Sequence, residues 1–458
     1  MKTKQILVAA VVLAALGAYL YFGEIKQKRR EEAAEKAKKV IFEGIKKEDI
    51  TEVVINNEYE DEIVIKKTGN DWKMEKPVKI YADNGIVGRL VRAFFINDIE
   101  RRIDEPDLAA YGLENPDVKC ALVDKTGGKH TAYFGDRSPT KKYVYAVFEN
   151  KKDTAALVNT SIKTNCNKKI FDLRYKAVIR LDDKAVDKIK VALDEKGKNY
   201  TVALENGQWK INSPVNDFAK EQKIKAIINR LGNTNALEIE GGSSKRLRRT
   251  GLASPGQKVV FYEAGQRKTV YIGKHNRERK AYYMKGLLTD EIYLVPEAAV
   301  KNIPAPDELK NKQVLIFERG NAGKIEVNYG NKSFTAAKKE SEEKRDEWKI
   351  TKISGFESSE KEKIKPAALV STIYYLEYND VAEEAPEQAA DKIYGTEKGL
   401  VEITLYDKEG EEMGALAAGN KLPAADEIYL KSTGRGKYFT VDSNFIKKLN
   451  LPGLELKE

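Results

Sequence analysis

The sequence predicts an α+β protein in which an N-terminal transmembrane helix precedes three tandem repeats, each built of antiparallel β-hairpins with one main helix. Three observations support this prediction. Residues 6–22 form an uncharged apolar run. The three tryptophans of the chain, Trp72, Trp209 and Trp348, lie 137 and 139 residues apart. Each tryptophan follows an alternating strand pattern and precedes an amphipathic helix pattern, so that hairpins and a helix mix within every repeat.

Residues 1–23 are predicted to be a transmembrane signal anchor. The apolar run has 17 residues, and a helix of that length rises about 25 Å, at the short end of a bilayer span. Tyr19 and Tyr21 stand near its end, where aromatic rings favour the membrane interface. A cleaved signal peptide is the alternative, with Ala15 and Gly17 as the small residues before the cut.

Charge next to the apolar run bears on topology. Residues 1–39 carry nine Lys and Arg and four Glu, a net charge of +5. This is half of the formal net charge of the chain, +10. Residues 24–44 are predicted to form a charged helical stalk. The positive-inside rule alone would place the chain after the run in the cytoplasm, but long domains translocate largely regardless of charge. We therefore expect a single-pass protein of the cytoplasmic (inner) membrane, with residues 6–22 in the lipid bilayer and the C-terminal ectodomain outside the cytoplasm.

Internal repeats define the rest of the chain, and we place the repeat units at residues 45–176, 177–312 and 313–458. The tryptophan phrases are Trp-Lys-Met-Glu-Lys-Pro at 72–77, Trp-Lys-Ile-Asn-Ser-Pro at 209–214 and Trp-Lys-Ile-Thr-Lys at 348–352. The apolar faces of the three helices that follow contain Ile86, Val87, Leu90, Val91, Phe94 and Phe95, then Ile224, Ile227, Ile228 and Leu231, then Leu369, Val370, Ile373, Tyr374 and Leu376. Such spacing is typical of a helix with one buried face.

Further landmarks recur in the same order after each helix. A turn contains Gly112, Gly251 or Gly395, and a hairpin then ends at Gly135, Gly273 or Gly419. Strands with tyrosine follow, containing Tyr143 and Tyr145, Tyr282 and Tyr283, and Tyr429. These units are far longer than solenoid repeats, so we interpret them as three domains with a core each.

Several of these phrases resemble a bacterial family catalogued as domain of unknown function 4340. The phrases are those at 72–77, 82–94, 108–116 and 134–138, together with Phe-Asp-Leu-Arg at 171–174. The third copy is degraded, since it has Gly395-Thr396 in place of Gly-Leu and no proline after Trp348. The resemblance implies one N-terminal span and an association with ABC exporter components similar to gliding-motility auxiliary proteins. It implies no catalytic residues.

Residues able to perform acid–base or metal chemistry are few. His130 and His275 are the only histidines, and we expect them to be strand residues without a catalytic or ligand role. Cys120 and Cys166 are the only cysteines, and either a disulfide or two free buried thiols is compatible with their positions. We predict no catalytic, metal or cofactor-binding residues and no cofactor; the binding residues are unknown.

Two features could bind a partner. Lys245–Arg249 is a dense basic run, which is more often a solvated helix face than an anion site. The tyrosine strands could line a carbohydrate groove, although strand tyrosines more often pack between strands. The absence of phosphate-loop and nucleophile motifs, and the modest charge of residues 40–458, favour neither nucleotide nor nucleic-acid binding.

These observations predict a non-enzymatic, membrane-anchored extracytoplasmic accessory or scaffold protein, with ABC exporter subunits or other envelope proteins as partners. The first alternative is a binding module for cell-envelope polysaccharide or another anionic polymer. The second is an enzyme with an unrecognised carboxylate site, since Asp and Glu number 71 and paired carboxylates suffice for glycoside hydrolysis.

Overall fold

A computed structural model describes residues 13, 17, 19, 21, 28, 39–149, 153–195, 197–287, 290–339, 347–382, 386, 389–423 and 425–456. The chain divides into two compact units. The first comprises residues 1–216 and 221–306, and the second comprises residues 217–220 and 307–458. The predicted boundaries of three repeat units stay a prediction, and each compact unit is described by itself.

The first repeat is an antiparallel sheet with helices on one face. Its strands are β1 (Ile50–Asn56), β2 (Ile63–Thr68), β3 (Asp71–Lys76), β4 (Ile80–Tyr81), β5 (Arg101–Asp104), β6 (Val118–Asp124), β7 (Lys129–Arg137), β8 (Tyr143–Phe148) and β9 (Thr154–Asn159). Its helices are α1 (Asn84–Ile96), α2 (Thr160–Cys166) and α3 (Ile170–Leu173), and a 3-10 turn covers Lys47–Asp49. The strand order is β4-β3-β2-β1-β6-β7-β8-β9-β5. The strands β1 and β6 are therefore neighbours in the sheet, although β2 to β5 and the helix α1 lie between them in the sequence.

The main helix of this repeat forms where the sequence predicts it. The Asp83 carboxylate accepts a hydrogen bond from the backbone N–H of Ile86 at 2.9 Å, and so caps the N-terminus of α1. Val87, Leu90 and Phe94 on the apolar face of α1 are buried against the sheet. Phe42, at the end of the predicted stalk, joins the same core and stacks on Phe94 with ring centroids 5.6 Å apart.

The second repeat follows the same plan. Its strands are β10 (Val186–Ala192), β11 (Asn199–Glu205), β12 (Gln208–Ser213), β13 (Asp217–Phe218), β14 (Glu238–Gly241), β15 (Gln257–Glu263), β16 (Gln266–Asn276), β17 (Ala281–Gly286) and β18 (Glu291–Pro296). Its helices are α4 (Glu221–Asn233), α5 (Ser244–Thr250), α6 (Ala298–Lys301) and α7 (Pro306–Leu309). Those of its strands that belong to the first compact unit are ordered β12-β11-β10-β15-β16-β17-β18-β14.

The third repeat belongs to the second compact unit. Its strands are β19 (Ala322–Tyr329), β20 (Lys332–Lys339), β21 (Glu347–Ser354), β22 (Asp380–Val381), β23 (Val401–Asp407), β24 (Glu412–Lys421), β25 (Glu427–Ser432) and β26 (Lys437–Asp442). Its helices are α8 (Ser358–Lys361), α9 (Pro366–Tyr374), α10 (Ala390–Tyr394) and α11 (Asn444–Leu449), with a 3-10 turn at Thr433–Arg435. The strand order is β21-β20-β19-β23-β24-β25-β26-β22.

The predicted repetition agrees with these strand orders. Trp72, Trp209 and Trp348 lie on β3, β12 and β21, each of which pairs with the second strand of its repeat. In every copy the first strand pairs with the second strand and also with the second strand after the main helix, which is β6, β15 or β23. The sequence pattern predicted the hairpins but not this second pairing.

The recurring glycines have one physical explanation. A Cβ atom at Gly135, Gly273 or Gly419 would overlap the backbone carbonyl oxygen of Tyr111, Thr250 or Tyr394. In the first repeat, that carbonyl of Tyr111 accepts a hydrogen bond of 2.8 Å from the N–H of Asp136. The turn before each hairpin thus lies directly on the backbone of the returning strand, where only glycine leaves room.

A partly buried and a fully buried ion pair lie where segments of consecutive repeats meet, one within each compact unit. In the first, Arg174 donates to both carboxylate oxygens of Glu291, at 2.8 and 2.6 Å. In the second, the buried Arg435 pairs with Asp217, which also accepts a hydrogen bond of 2.9 Å from the Tyr378 hydroxyl. Bidentate geometry such as that of Arg174 holds two segments in one register.

The predicted N-terminal transmembrane helix and the predicted localisation are corrected by the structure. Among the residues described, no helix is long and apolar enough to cross a membrane. The membrane span in the predicted fold class, and the assignment as a single-pass inner-membrane protein with an outside ectodomain, are therefore not supported. The fold is instead three mostly antiparallel sheets with some helices. The run at 6–22 and the stalk at 24–44 fall largely outside the described residues.

Substituting Gly135 tests whether the close approach of the turn stabilises the fold. We expect Gly135→Ala to lower the free energy of unfolding by about 1–3 kcal/mol, because the added methyl must displace the Tyr111 carbonyl. Gly88→Ala is the matched control, since a Cβ added at this position of α1 would meet no atom within 4 Å and alanine favours a helix by roughly 0.5–1 kcal/mol. Urea denaturation of both variants measures the difference; equal stability would contradict the explanation.

Candidate functional site

The first repeat contains a cavity of about 650 Å³. Its lining includes Phe42, Arg102, Asp104, His130, Glu149 and Asp153. Cations and carboxylates are mixed in this lining, so the cavity has no single sign of charge. A polar cavity with a histidine is a reasonable candidate for a binding or catalytic site.

His130 is the centre of a hydrogen-bonded network beside this cavity. Its Nε2 lies 2.9 Å from Asp124 Oδ2 and its Nδ1 lies 3.3 Å from Glu149 Oε1. The ring of Phe42 lies 5.6 Å from the imidazole, centroid to centroid. No sequence pattern indicated that His130 would have two carboxylate partners, because β7 brings them together only through its pairing with β6 and β8.

Asp124 is held by its own hairpin. One carboxylate oxygen accepts from the Thr126 hydroxyl at 2.6 Å, from the Thr126 N–H at 2.8 Å and from the Gly128 N–H at 3.0 Å. The hydrogen bonds from Thr126, then that from His130, hold the pKa of the Asp124 carboxyl far below its ordinary value. The carboxylate therefore stays ionised and is engaged in hydrogen bonds. These properties are typical of a residue that stabilises a turn and not of a general acid, which must carry a proton.

Equivalent residues in the other repeats support that interpretation. Asp407 ends β23 as Asp124 ends β6, and it accepts from the N–H groups of Glu409 at 3.0 Å and Glu411 at 2.8 Å. In the second repeat, Glu263 ends β15 and pairs with Lys268 at 2.6 Å. A carboxylate at this position therefore stabilises the hairpin in all three copies.

His275 lies on the strand that matches β7, but at a different position. Its Nε2 is 2.7 Å from Glu297 Oε2, and Glu297 also pairs with Lys301 at 2.9 Å. The hydrogen bond from Lys301 is the main cause of a lowered pKa of Glu297. The structure does not bring His275 and His130 into one site. In the described part of the chain, no group of three His, Cys, Asp or Glu side chains is placed to hold a metal ion.

Cys120 and Cys166 are free thiols, both buried in the first core. Burial raises the pKa of the Cys166 thiol well above its ordinary value, and its hydrogen bond with Cys120 acts in the same direction. A thiol with a raised pKa is a poor nucleophile, so the pair has the character of two small core residues.

The basic run at residues 245–249 lies on α5. Arg246 and Arg249 pair with Glu240 on the neighbouring β14, at 3.5 and 3.2 Å. Their side chains remain about half exposed or more, at 49% and 65%. The run is the solvated helix face that the sequence favoured.

The tyrosine strands pack against the turn segments. Tyr145 stacks on Tyr111 with ring centroids 4.1 Å apart, and Tyr429 contacts Tyr394 at 4.6 Å. Both contacts tie the strand to the same turn that approaches Gly135 or Gly419. The tyrosines are used in packing, as strand aromatics commonly are.

A second candidate site lies on the sheet of the second repeat, on the face opposite its core. It consists of Lys188, Lys190, Lys258, Tyr262 and Arg267, and we refer to it as the basic tyrosine face. The Nζ atoms of Lys188 and Lys190 lie 5.5 and 5.8 Å from the centroid of the Tyr262 ring. A hollow of about 420 Å³ adjoins these residues. This face was not predicted, although the alternation of Lys188 and Lys190 along a strand was a signal for it.

The architecture defines a class of protein built from repeated, mostly antiparallel sheet domains. A family model described as "Domain of unknown function (DUF4340)" matches residues 72–245 and again residues 209–394. The chain belongs to this family, as the sequence predicted. The two matches begin at Trp72 and Trp209, the landmark residues of the first two repeats.

Similarity to curated proteins and solved structures is weak. A search of curated proteins gave no match. A DnaN sliding clamp (DNA polymerase III subunit beta) from Pseudomonas aeruginosa bound to griselimycin is 8% identical, with 89% of this chain and 94% of that chain covered and a TM-score of 0.14. DNA polymerase III subunit beta from Borrelia burgdorferi in complex with a natural product is 9% identical, with 91% and 96% covered and a TM-score of 0.15. Likeness at these TM-scores carries no argument about function.

The hairpin role of Asp124 predicts a pH dependence. Because the folded-state pKa is lowered, the stabilisation is complete above the unfolded pKa of about 4 and is lost as pH falls below it. We expect Asp124→Asn to be less stable than wild type at pH 7, with a difference that shrinks below about pH 4. Asp61→Asn, at an exposed position, is the control. Urea titrations across this range measure it; a difference independent of pH would contradict the role.

Proposed function

We propose that this protein is a non-enzymatic scaffold that binds other proteins through the exposed faces of its sheets. One observation supports the proposal most strongly. The residues that recur in the three copies, such as Trp72 and Gly135, serve packing and backbone approach, whereas the charged residues on the exposed sheet faces differ from copy to copy. The residues that define the fold are thus shared by the three copies, whereas the surface charge differs. This combination is expected of a protein that presents a different binding surface on each repeat.

The carboxylate that contacts His130 beside the first cavity also favours a non-enzymatic role. One carboxylate oxygen of Asp124 is occupied by its own turn and the other by His130, and the corresponding acids of the other repeats close the same hairpin. A general acid or base needs a carboxyl free to exchange a proton with substrate. An enzyme that uses His130 and Glu149 is the alternative, since their contact borders a cavity of about 650 Å³.

The family resemblance suggests the setting of this scaffold. Similarity to proteins encoded beside ABC exporter components makes the subunits of such an exporter the expected partners. This part of the proposal rests on analogy within the family and not on a contact in the molecule.

Co-purification tests the proposed role. The full chain, tagged, would be co-expressed with the ATPase and permease subunits encoded nearest to its gene, and with an unrelated exporter as control. We expect the neighbouring subunits, and not the unrelated ones, to co-purify in a fixed ratio, because a scaffold subunit forms a stoichiometric complex. The ratio is measured by quantitative mass spectrometry.

Two results would contradict the proposal. One is equal recovery of the neighbouring and the unrelated subunits. The other is a hydrolytic activity of the purified chain that His130→Gln and Glu149→Gln each abolish while both variants remain folded. The second result would establish the enzymatic alternative.

A further inference from the structure

We infer that the basic tyrosine face of the second repeat is a docking site for an acidic polypeptide segment in an extended conformation. The inference rests on the proposed scaffold role and adds to it a site and the chemistry of the partner. It follows from three observations. They are the register of three strands, the lack of an ion pair at these cations within the described residues, and a comparison of equivalent positions in the three sheets.

Strand register places the four cations on one face of the sheet, three of them next to the ring of Tyr262. Lys188 lies directly opposite Tyr262 across β10 and β15, and Arg267 lies opposite Tyr262 across β15 and β16. Lys190 and Lys258 are two and four residues away on the same strands. Directly paired residues and alternate residues share one face of a sheet. The buried Ile189 and Phe261 point the other way, into the core.

These cations lack the internal neutralisation that the third sheet has. There, Lys324 lies opposite Tyr406, with its Nζ 3.6 Å from the ring centroid. Glu326 accepts from that Lys324 at 3.1 Å and from the Tyr406 hydroxyl at 3.0 Å. In the second sheet Lys190 occupies the position of Glu326. Within the described residues, no ion pair joins any of the four cations to a carboxylate.

Equivalent positions in the three sheets carry different charge. The three sheets can be aligned by the register of their strand pairs. The positions of Lys188, Lys190, Lys258 and Arg267 are then occupied in the first sheet, in the same order, by Glu52, Val54, Lys119 and Lys129. In the third sheet they are occupied by Lys324, Glu326, Glu402 and Glu412. The formal charge of the four positions is +4 in the second sheet, +1 in the first and −2 in the third. A single backbone arrangement therefore presents a strongly basic face only in the second repeat.

The geometry favours a polypeptide over other polyanions. Alternate residues on one side of an extended chain repeat about every 6.8 Å, which matches the spacing of Lys188 and Lys190 on β10. The two lysines lie near the Tyr262 ring, so a base or sugar could stack there only by displacing them. Neutral hydrogen-bonding residues, Thr201 and Ser213, line the adjoining hollow and could contact peptide amides.

Binding of a defined peptide to the full chain tests the inference. The probe is a fluorescein-labelled peptide of alternating Glu and Thr, with an alternating Gln and Thr peptide as the neutral control. We expect the acidic peptide alone to bind, and Lys188→Glu combined with Lys190→Glu to weaken it roughly tenfold or more, because two attractive contacts become repulsive. Fluorescence anisotropy at about 50 mM and 500 mM NaCl should show weaker binding at the higher salt.

A matched control comes from the first repeat. Lys119→Glu reverses a charge at the position equivalent to Lys258, in a sheet that the inference does not involve. This variant should bind the acidic peptide as wild type does. Tyr262→Phe keeps the ring beneath both lysines and should also retain binding, whereas Tyr262→Ala should weaken it. Urea denaturation establishes that each variant is folded before its binding is compared.

Several results would overturn the inference. They are no binding of the acidic peptide to wild type, an equal loss in Lys119→Glu, or tighter binding of heparin or of single-stranded oligo-dT than of the peptide. Co-purification of the exporter subunits with the charge-reversed double variant at the wild-type ratio would also overturn the site. That last result would leave the scaffold role intact, so the two proposals fail separately.

Discussion

The close approach of a turn to the backbone of a returning strand, which recurs in each repeat, is the constraint on which the arrangement of the sheet faces depends. The carbonyls of Tyr111, Thr250 and Tyr394 lie where a side chain on the returning strand would otherwise stand. The turn is thereby pressed onto one half of the face opposite the main helix, and in the first repeat a small cluster around Leu113 and Val147 fills the contact. The half of that face formed by the first strands remains partly exposed, for example at Glu52, Lys190 and Glu326.

The two faces of each sheet differ in how far their residues vary between the three copies. The side that faces the main helix is closed by apolar residues in every copy, since burial of a large apolar surface tolerates few polar substitutions. The partly exposed half-face has no such constraint, and its charge differs between copies. The pairs Arg174–Glu291 and Arg435–Asp217 orient segments of consecutive repeats, and both side chains of the second pair are buried. Function is then expected at the surface, in the charges that distinguish one repeat from another.

The sequence predicted local structure well where short-range physics decides it. The strand with each tryptophan, the α1 helix and its Asp83 cap followed from periodicity and capping chemistry. Pairings between distant segments were not predictable from periodicity, because it does not say which strands meet. The Asp124–His130 contact and the grouping of Lys188 with Arg267 both depend on such pairings. The transmembrane helix predicted from hydropathy is not supported, since no helix among the described residues is long and apolar enough to span a membrane.

The central claim is that one framework carries a distinct binding surface on its second sheet, and lysine footprinting tests it most directly. The full chain would be acetylated briefly with and without saturating acidic peptide, and the reactivity of each lysine measured by mass spectrometry. If the second sheet carries the site, Lys188, Lys190 and Lys258 should be protected while Lys119 and Lys324 react unchanged. Equal protection of the lysines of all three sheets, or protection confined to the first or third, would contradict the claim.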